Sequence, residues 1–366
     1  MRYSPGMKNP ILLPLWTLAT PVAAWLLFGG TLFGLGGAYL VLVAAGLIGG
    51  VLSAVHHAEV VAHRVGEPFG TLVLAVAVTV IEVALIVSLM LAGGPETTAL
   101  ARDTVFAAVM IILTGMVGLC LLVGGASHRE QSFGLHGVSA SLATLAAIVV
   151  LTLILPNYTT TDPGPAFAPS QLVFIAVVSL ILYGTFVFAQ IIRHRDYFLP
   201  VDAAGNEEVH AAAPPAKVAA LSGFLLVACL VVVVLLAKAL APSIEAGVAA
   251  IGAPTALVGV IIAAVVLFPE GLAAVRAARA NRLQTSLNLA LGSALASIGL
   301  TIPTVAIVSL VTGVTLTLGI DIKSTVLLLL SLFVTAISLG TGRTTVLQGT
   351  VLLVVFATYL FTTIVP

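Results

Sequence analysis

Charge is what this 366-residue chain lacks most: only 8% of its residues are Asp, Glu, Lys or Arg, against about a quarter in an ordinary soluble domain. Hydrophobic residues make up 60% and the mean hydropathy is +1.22, so a water-soluble globule is excluded. The formal net charge is zero. No basic stretch is available for a nucleic-acid backbone, and nucleic acid is excluded as a partner. Cysteine is nearly absent, and Cys120 and Cys229 both fall inside apolar runs without metal-ligand spacing. Both read as small hydrophobes. Short alternating strands are also missing, which excludes a membrane β-barrel.

What the chain has instead is a succession of apolar runs, each long enough to cross a hydrocarbon core about 30 Å thick as a helix. Spans are expected near 11–28, 32–62, 69–92, 103–126, 137–155, 170–192, 217–240, 252–275, 284–312, 324–339 and 345–364. The expected fold is therefore all-α, a polytopic membrane protein with about eleven transmembrane helices. The first run has no small-residue cleavage pattern and reads as a retained helix. Polar connections carry the helix breakers, and the longest of them, over 193–216, divides the chain into halves.

Lys and Arg are retained on the cytoplasmic side in short loops. With the N-terminus inside, the inner segments hold Arg2, Lys8, Arg64, Arg129, Arg193, Arg195, Lys217, Arg276, Arg279, Arg282 and Arg343, and the outer ones only Arg102, Lys238 and Lys323. The asymmetry places the N-terminus in the cytoplasm and the C-terminus outside.

An internal repeat crosses the divide. "EVVAHRVGEPFGTLVLAVAVTVIE" (Glu59 to Glu82) lies over "EAGVAAIGAPTALVGVIIAAVVLFPE" (Glu245 to Glu270): an acid, a Gly seven residues on, a Pro two further, then an apolar run ending in an acid. Five helices per unit is an odd number, so the copies would enter the membrane from opposite sides, as in transporters whose sites lie at the repeat interface. The expected domains are an extra N-terminal helix (1–30), a first inverted repeat (31–192), a cytoplasmic linker (193–216) and a second repeat (217–366).

Both repeats end on a carboxylate inside an apolar run. An acid at a helix centre costs about 2.5 to 3.5 kcal/mol to insert, so such residues face a bundle interior and mark ion or proton paths. Packing glue between helices is the bland alternative. Buried acids hold protons when alone and release them to an entering cation, because a low-dielectric site tolerates little net charge. Hard cations such as calcium seek carboxylate, hydroxyl and carbonyl oxygens. Glu82 and Glu270 supply the first kind. Thr79 lies nearly on the face of Glu82, and Thr114 is in the following helix. Ser293, Ser297 and Thr301 recur every four residues in "LNLALGSALASIGLTIP", interleaved with Gly292 and Gly299, which would allow close helix approach. Pro269 leaves the carbonyl of Val265 without its usual donor. For each hydroxyl the alternative is a bond to its own helix carbonyl four residues back.

The segments "GEPFGTLVLAVAVTVIEVALI", "GGASHREQSFG" and "FPEGLAAVRAARANRLQTSLNLALGSALASIGLTIP" resemble the ChaA-type calcium/proton exchangers of the calcium/cation antiporter superfamily. The resemblance implies that Glu82 and Glu270 are alternately protonated, cation-binding acids, with Ser293 and Ser297 nearby. It also implies calcium export against protons by alternating access in a bacterial inner membrane, without a cofactor. Its partners would be small inorganic cations, protons and the lipid bilayer. Sodium or potassium exchange for protons at the same acids is the alternative; an intramembrane enzyme or a passive channel fits less well. Many superfamily members carry Gly-Asn four and three positions before each acid, where this chain has Val78-Thr79 and Val266-Leu267. The acidic segment that relatives carry between halves is represented by Asp196, Asp202, Glu207 and Glu208.

"HHAEVVAH" puts His56, Glu59 and His63 on one helix face, but it is not H-E-x-x-H. An interfacial helix end is the reading favoured here, with pH sensing as the alternative. "VRAARANR" reads as a positive anchor. His128, Arg129 and Glu130 receive no chemistry from the sequence.

Overall fold

A computed structural model describes residues 13–66, 69–93, 98–199 and 214–365. Arg2, Lys8, Glu67, Asp202, Glu207 and Glu208 lie outside the described residues, as does most of the linker. The described chain is mostly helical: α1 (Leu15–Leu32), α2 (Tyr39–Val65), α3 (Phe69–Gly93), α4 (Leu100–Met110), α5 (Val117–His128), α6 (Leu135–Val149), α7 (Pro169–Phe188), α8 (Ala216–Ala250), α9 (Ala256–Arg279), α10 (Leu283–Thr312), α11 (Ile322–Leu339) and α12 (Val346–Ile364). A π-helical stretch, Ile111–Met116, fuses α4 and α5 into one rod. Further π stretches extend α6 over Val150–Ile154 and α7 over Ala189–Arg193. Among the described residues eleven rods result, ten of them long and apolar enough to cross a membrane, while α3 is apolar over Ala75–Leu91.

The rods match the expected spans in number, and their bounds correct the reading in three places: α2 begins at Tyr39 where residue 32 was expected, and α8 and α9 are also displaced. α8 was expected to end near residue 240 and continues to Ala250 through Pro242. Membrane helices accommodate proline because local adjustments satisfy the freed backbone groups. α9 starts later than expected and runs to Arg279, so Arg276 and Arg279 form its last turn instead of the loop beyond it.

The chain forms two compact units. One takes α1, α2, the first turns of α3 and α8 up to Ala239. There the Thr17 carbonyl of α1 accepts hydrogen bonds from Ser53 Oγ and His57 Nε2 of α2, each 3.0 Å. Gly50 of α2 approaches Val233 of α8 closely enough that a Cβ would meet it at 3.0 Å. The buried histidine is thus His57, a helix-packing group, while Glu59 and His63 are exposed. Among the described residues no group of three or more His, Cys, Asp or Glu could hold a metal.

The second unit holds α3 from Ala75, α4 to α7, the end of α8, and α9 to α12. α10 is buried on nearly every side, as expected for a helix apolar all round. α9 packs on α10 and on the α4–α5 rod, and α5 lies along α12. Without a hydrophobic force between helices in lipid, close backbone approach supplies the packing. Gly118 and Gly125 of α5 and Gly349 of α12 provide it: a Cβ on Gly349 would meet Gly118 O at 2.8 Å, and one on Gly125 would meet Val346 N at 2.6 Å. Likewise α9 meets α4 at Gly259, where a Cβ would lie 2.9 Å from the Asp103 carbonyl carbon. Cys120 and Cys229 are buried and free.

The two ends of this unit differ in chemistry. At one, β1 (Glu130–Ser132) pairs antiparallel with β2 (Arg343–Thr345), and Asn288 donates to the Phe198 carbonyl. This end carries Arg129, Arg195, Arg279, Arg282 and Arg343. At the other, Arg102 donates to the Gly319 carbonyl at 3.1 Å, Asn157 to that of Ile320 at 2.7 Å, and Lys323 to that of Thr362 at 2.7 Å. Within this unit, Arg129, Arg195, Arg279, Arg282 and Arg343 of the inner class and Arg102 and Lys323 of the outer class lie at opposite ends.

Candidate functional site

Glu82 sits midway along α3, only 3% exposed. Its Oε1 accepts a hydrogen bond from Ser297 Oγ of α10 at 2.5 Å, the length typical of a hydroxyl on a carboxylate. A residue of the first half thereby engages a residue 215 positions later, in the second. Ser297 is buried at 2% exposure, so the carboxylate supplies the hydrogen bond that a buried hydroxyl requires.

Glu270 is 7% exposed and lies inside α9, beside the proline that leaves the Val265 carbonyl without its i+4 donor. The next residue, Gly271, faces Met116 of the π stretch, whose Cε a Cβ would meet at 3.6 Å. The turn carrying Glu270 therefore packs on the widened part of the α4–α5 rod. π stretches in α-helices recur at functional sites, and this one holds Thr114. Carboxylates on α3 and α9, hydroxyls on α10 and the π stretch, and a proline-freed carbonyl thus come from helices of one unit.

The hydroxyls divide into two kinds. Ser297 reaches across helices, whereas Thr79 donates to the Ala75 carbonyl at 2.9 Å and Thr114 to the Met110 carbonyl at 2.5 Å. Such back-bonding fixes the hydroxyl hydrogen and leaves the oxygen lone pairs free to face a cation. Ser293 is half-buried one turn before Ser297. Thr301, one turn after, is fully buried, and its hydroxyl finds no partner among the described residues. Of the two glycines expected to admit a neighbour, Gly299 does so, its Cβ position lying 2.8 Å from Tyr183 Cβ; Gly292 faces open space.

The sequence reading missed the π stretch and the amide groups at the arginine-bearing end. Gln131 and Gln284 are both 3% exposed. A buried carboxamide is as costly as a buried hydroxyl, and their position in the "HREQSFG" and "RLQTSLN" segments was the available signal.

The sequence profile described as "Sodium/calcium exchanger protein" matches residues 35–192 and 221–365. The chain belongs to this family. Within it, the chain is 50% identical to the "Putative ionic transporter y4hA" of Sinorhizobium fredii, over 96% of this chain and 97% of that one. It is 35% identical to the "Sodium-potassium/proton antiporter ChaA" of Escherichia coli over 88% of this chain and 87% of the relative. The exchanger fold is shared with the solved structure of YfkE, at a TM-score of 0.73 and 18% identity over 96% of this chain and 100% of that one. The crystal structure of the H+/Ca2+ exchanger CAX gives 0.71 and 16% over 95% and 88%. The family is one of exchangers, and the chain is an all-α polytopic membrane protein.

Proposed function

We propose that this exchanger-family protein is a secondary cation/proton antiporter in which Glu82 and Glu270 hold protons and a cation by turns. The observation that carries this reading is Glu82: a carboxylate buried in mid-helix and bonded to Ser297 of the other half. Two carboxylates in a low-dielectric site are neutralised by two protons or by one divalent cation, and either state avoids the cost of buried net charge. The empty, doubly ionised state is the costly one. Exchange is coupled because the site passes from one face to the other only when neutral.

Ser297, Ser293, Thr79, Thr114 and the Val265 carbonyl complete an all-oxygen set suited to a hard cation. Calcium leaving and protons entering is the favoured direction. The transported ions are substrates, and the reading needs no resident cofactor. Two inverted repeats of five rods, α2 to α7 and α8 to α12, would supply one acid each. The family profile's two matched stretches, 35–192 and 221–365, support that division. The arginine-rich end would face the cytoplasm of a bacterial inner membrane.

Exchange of sodium or potassium for protons is the second reading. It is favoured by the 35% identical relative that bears that name and by Thr79 and Leu267, which stand where the Asn of the Gly-Asn pair would add an amide oxygen. Purified protein in liposomes separates the two. An imposed pH gradient is expected to drive radioactive calcium uptake that excess sodium or potassium does not suppress. Suppression by a monovalent ion would give the second reading, and uptake indifferent to the proton gradient would sink both.

A further inference from the structure

The segment "GGASHREQSFG" supplies no ligand to the site, yet its side chains close onto the helix of Glu270. The last carbonyls of any α-helix lack intrahelical donors. At the end of α9, Gln131 Nε2 donates to the Ala278 carbonyl and to Asn281 Oδ1, each at 2.9 Å. His128 Nε2, at the end of α5, donates to the Arg279 carbonyl at 2.9 Å. Gln131 is buried, and Gly124 beneath it has no alternative, since a Cβ there would occupy the place of Gln131 Oε1. Asn281 accepts from a left-handed backbone position, φ 59°.

We propose that Gln131, assisted by His128, is a positioning residue that fastens α9 to the β1–β2 pair, and that this fastening stays closed through the transport cycle as a fixed pivot. The inference rests on the antiport reading given above. Glu270 lies eight residues before Ala278, about 12 Å along the helix at 1.5 Å per residue, so the clamp sets the depth and rotation of its carboxyl. Opening the clamp would leave the NH2 group of the buried Gln131 side chain without either acceptor, at a desolvation penalty. The same loop is held from its other side: Gln131 stands opposite Thr344 in the β1–β2 ladder, and β2 leads directly into α12, whose Gly349 lies against the α5 backbone. α5, α9, α12 and the two strands thus form a single fastened block. The exposed Arg343–Glu130 pair at 3.3 Å above it adds little, since such pairs contribute about 0 to 1 kcal/mol.

The test uses full-length protein in liposomes. Glu130 and Thr345 are opposed in the ladder, which brings Cβ atoms to about 4.5 to 5.5 Å, at the upper edge of what a disulfide spans, and both native cysteines are buried. Oxidised Glu130→Cys/Thr345→Cys protein is expected to exchange at the rate of its reduced form. Loss of exchange on oxidation, restored by reductant, would overturn the pivot and make the strand pair a gate. Gln131→Glu, which removes the donor, is expected to raise the cation KM about tenfold with little change in maximal rate; an unchanged KM would overturn the positioning role. Should that variant not accumulate, His128→Leu is expected to raise KM and His128→Gln, which keeps a donor, to restore it; equal values for the two would count against the proposal. Wild-type protein without exchange would instead sink the antiport reading itself.

Discussion

Liposomes carrying Glu82→Gln or Glu270→Gln protein will show no cation-coupled proton movement, while the variants insert and fold as the wild type does. Glutamine keeps the size of the side chain and, at position 82, an oxygen that accepts from Ser297 Oγ. What it removes is the ability to ionise. A site with one remaining carboxylate carries one negative charge at most, so a divalent cation would leave a buried net positive charge, which costs several kcal/mol. The variant therefore holds its remaining proton and stalls. A pH-sensitive dye inside the liposomes reads the loss directly, and folding is read from the elution of detergent-solubilised protein. Wild-type exchange by either variant would remove the acids from the mechanism.

The second large effect is structural. Gly349→Val is expected to destabilise the protein by about 3 kcal/mol or more, at or beyond the upper range for overpacking. The added side chain would push into Gly118 O and the Leu122 Cα, at 2.8 and 2.9 Å from the Cβ position, and backbone cannot swing aside as a side chain can. Gly184→Ala is the control, because nothing lies within 4 Å of its Cβ position and alanine favours the helix. Thermal unfolding in detergent should separate the two, with Gly184→Ala at or above wild type. A Gly349→Val protein as stable as wild type would mean that α12 does not depend on contact with α5.

Much of the architecture was legible because lipid enforces a simple rule: an apolar run of about 20 residues must be a helix. The eleven rods follow from that, and so does the burial of Glu82 and Glu270, since an acid in such a run has nowhere to go but inward. The end of α8 was not legible. Pro242 reads as a terminator in water but is carried within the helix here. The π stretch at Thr114 has no sequence signature, because widening a turn depends on what packs against it, and α9, α10, α11 and α12 all do. Back-bonding of Thr79 and Thr114 against the cross-helix reach of Ser297 was also open, as all three are hydroxyls on helices and only tertiary contact distinguishes them. The clamp at Gln131 was hidden for another reason. Its partners are main-chain carbonyls at Ala278 and a turn residue at Asn281, and backbone acceptors leave no letter in the sequence.

The central claim is that cation and protons occupy the same two carboxyls in turn, and the direct measurement is proton release on binding. Detergent-solubilised protein in weakly buffered solution is titrated with calcium while a pH indicator follows the medium. Protons should appear as calcium binds, and the apparent affinity should fall as the pH is lowered, because protonated carboxyls must be emptied first. The Glu82→Gln/Glu270→Gln protein should release none. Calcium binding that liberates no protons from the wild-type protein, or liberates as many from the double variant, would contradict it.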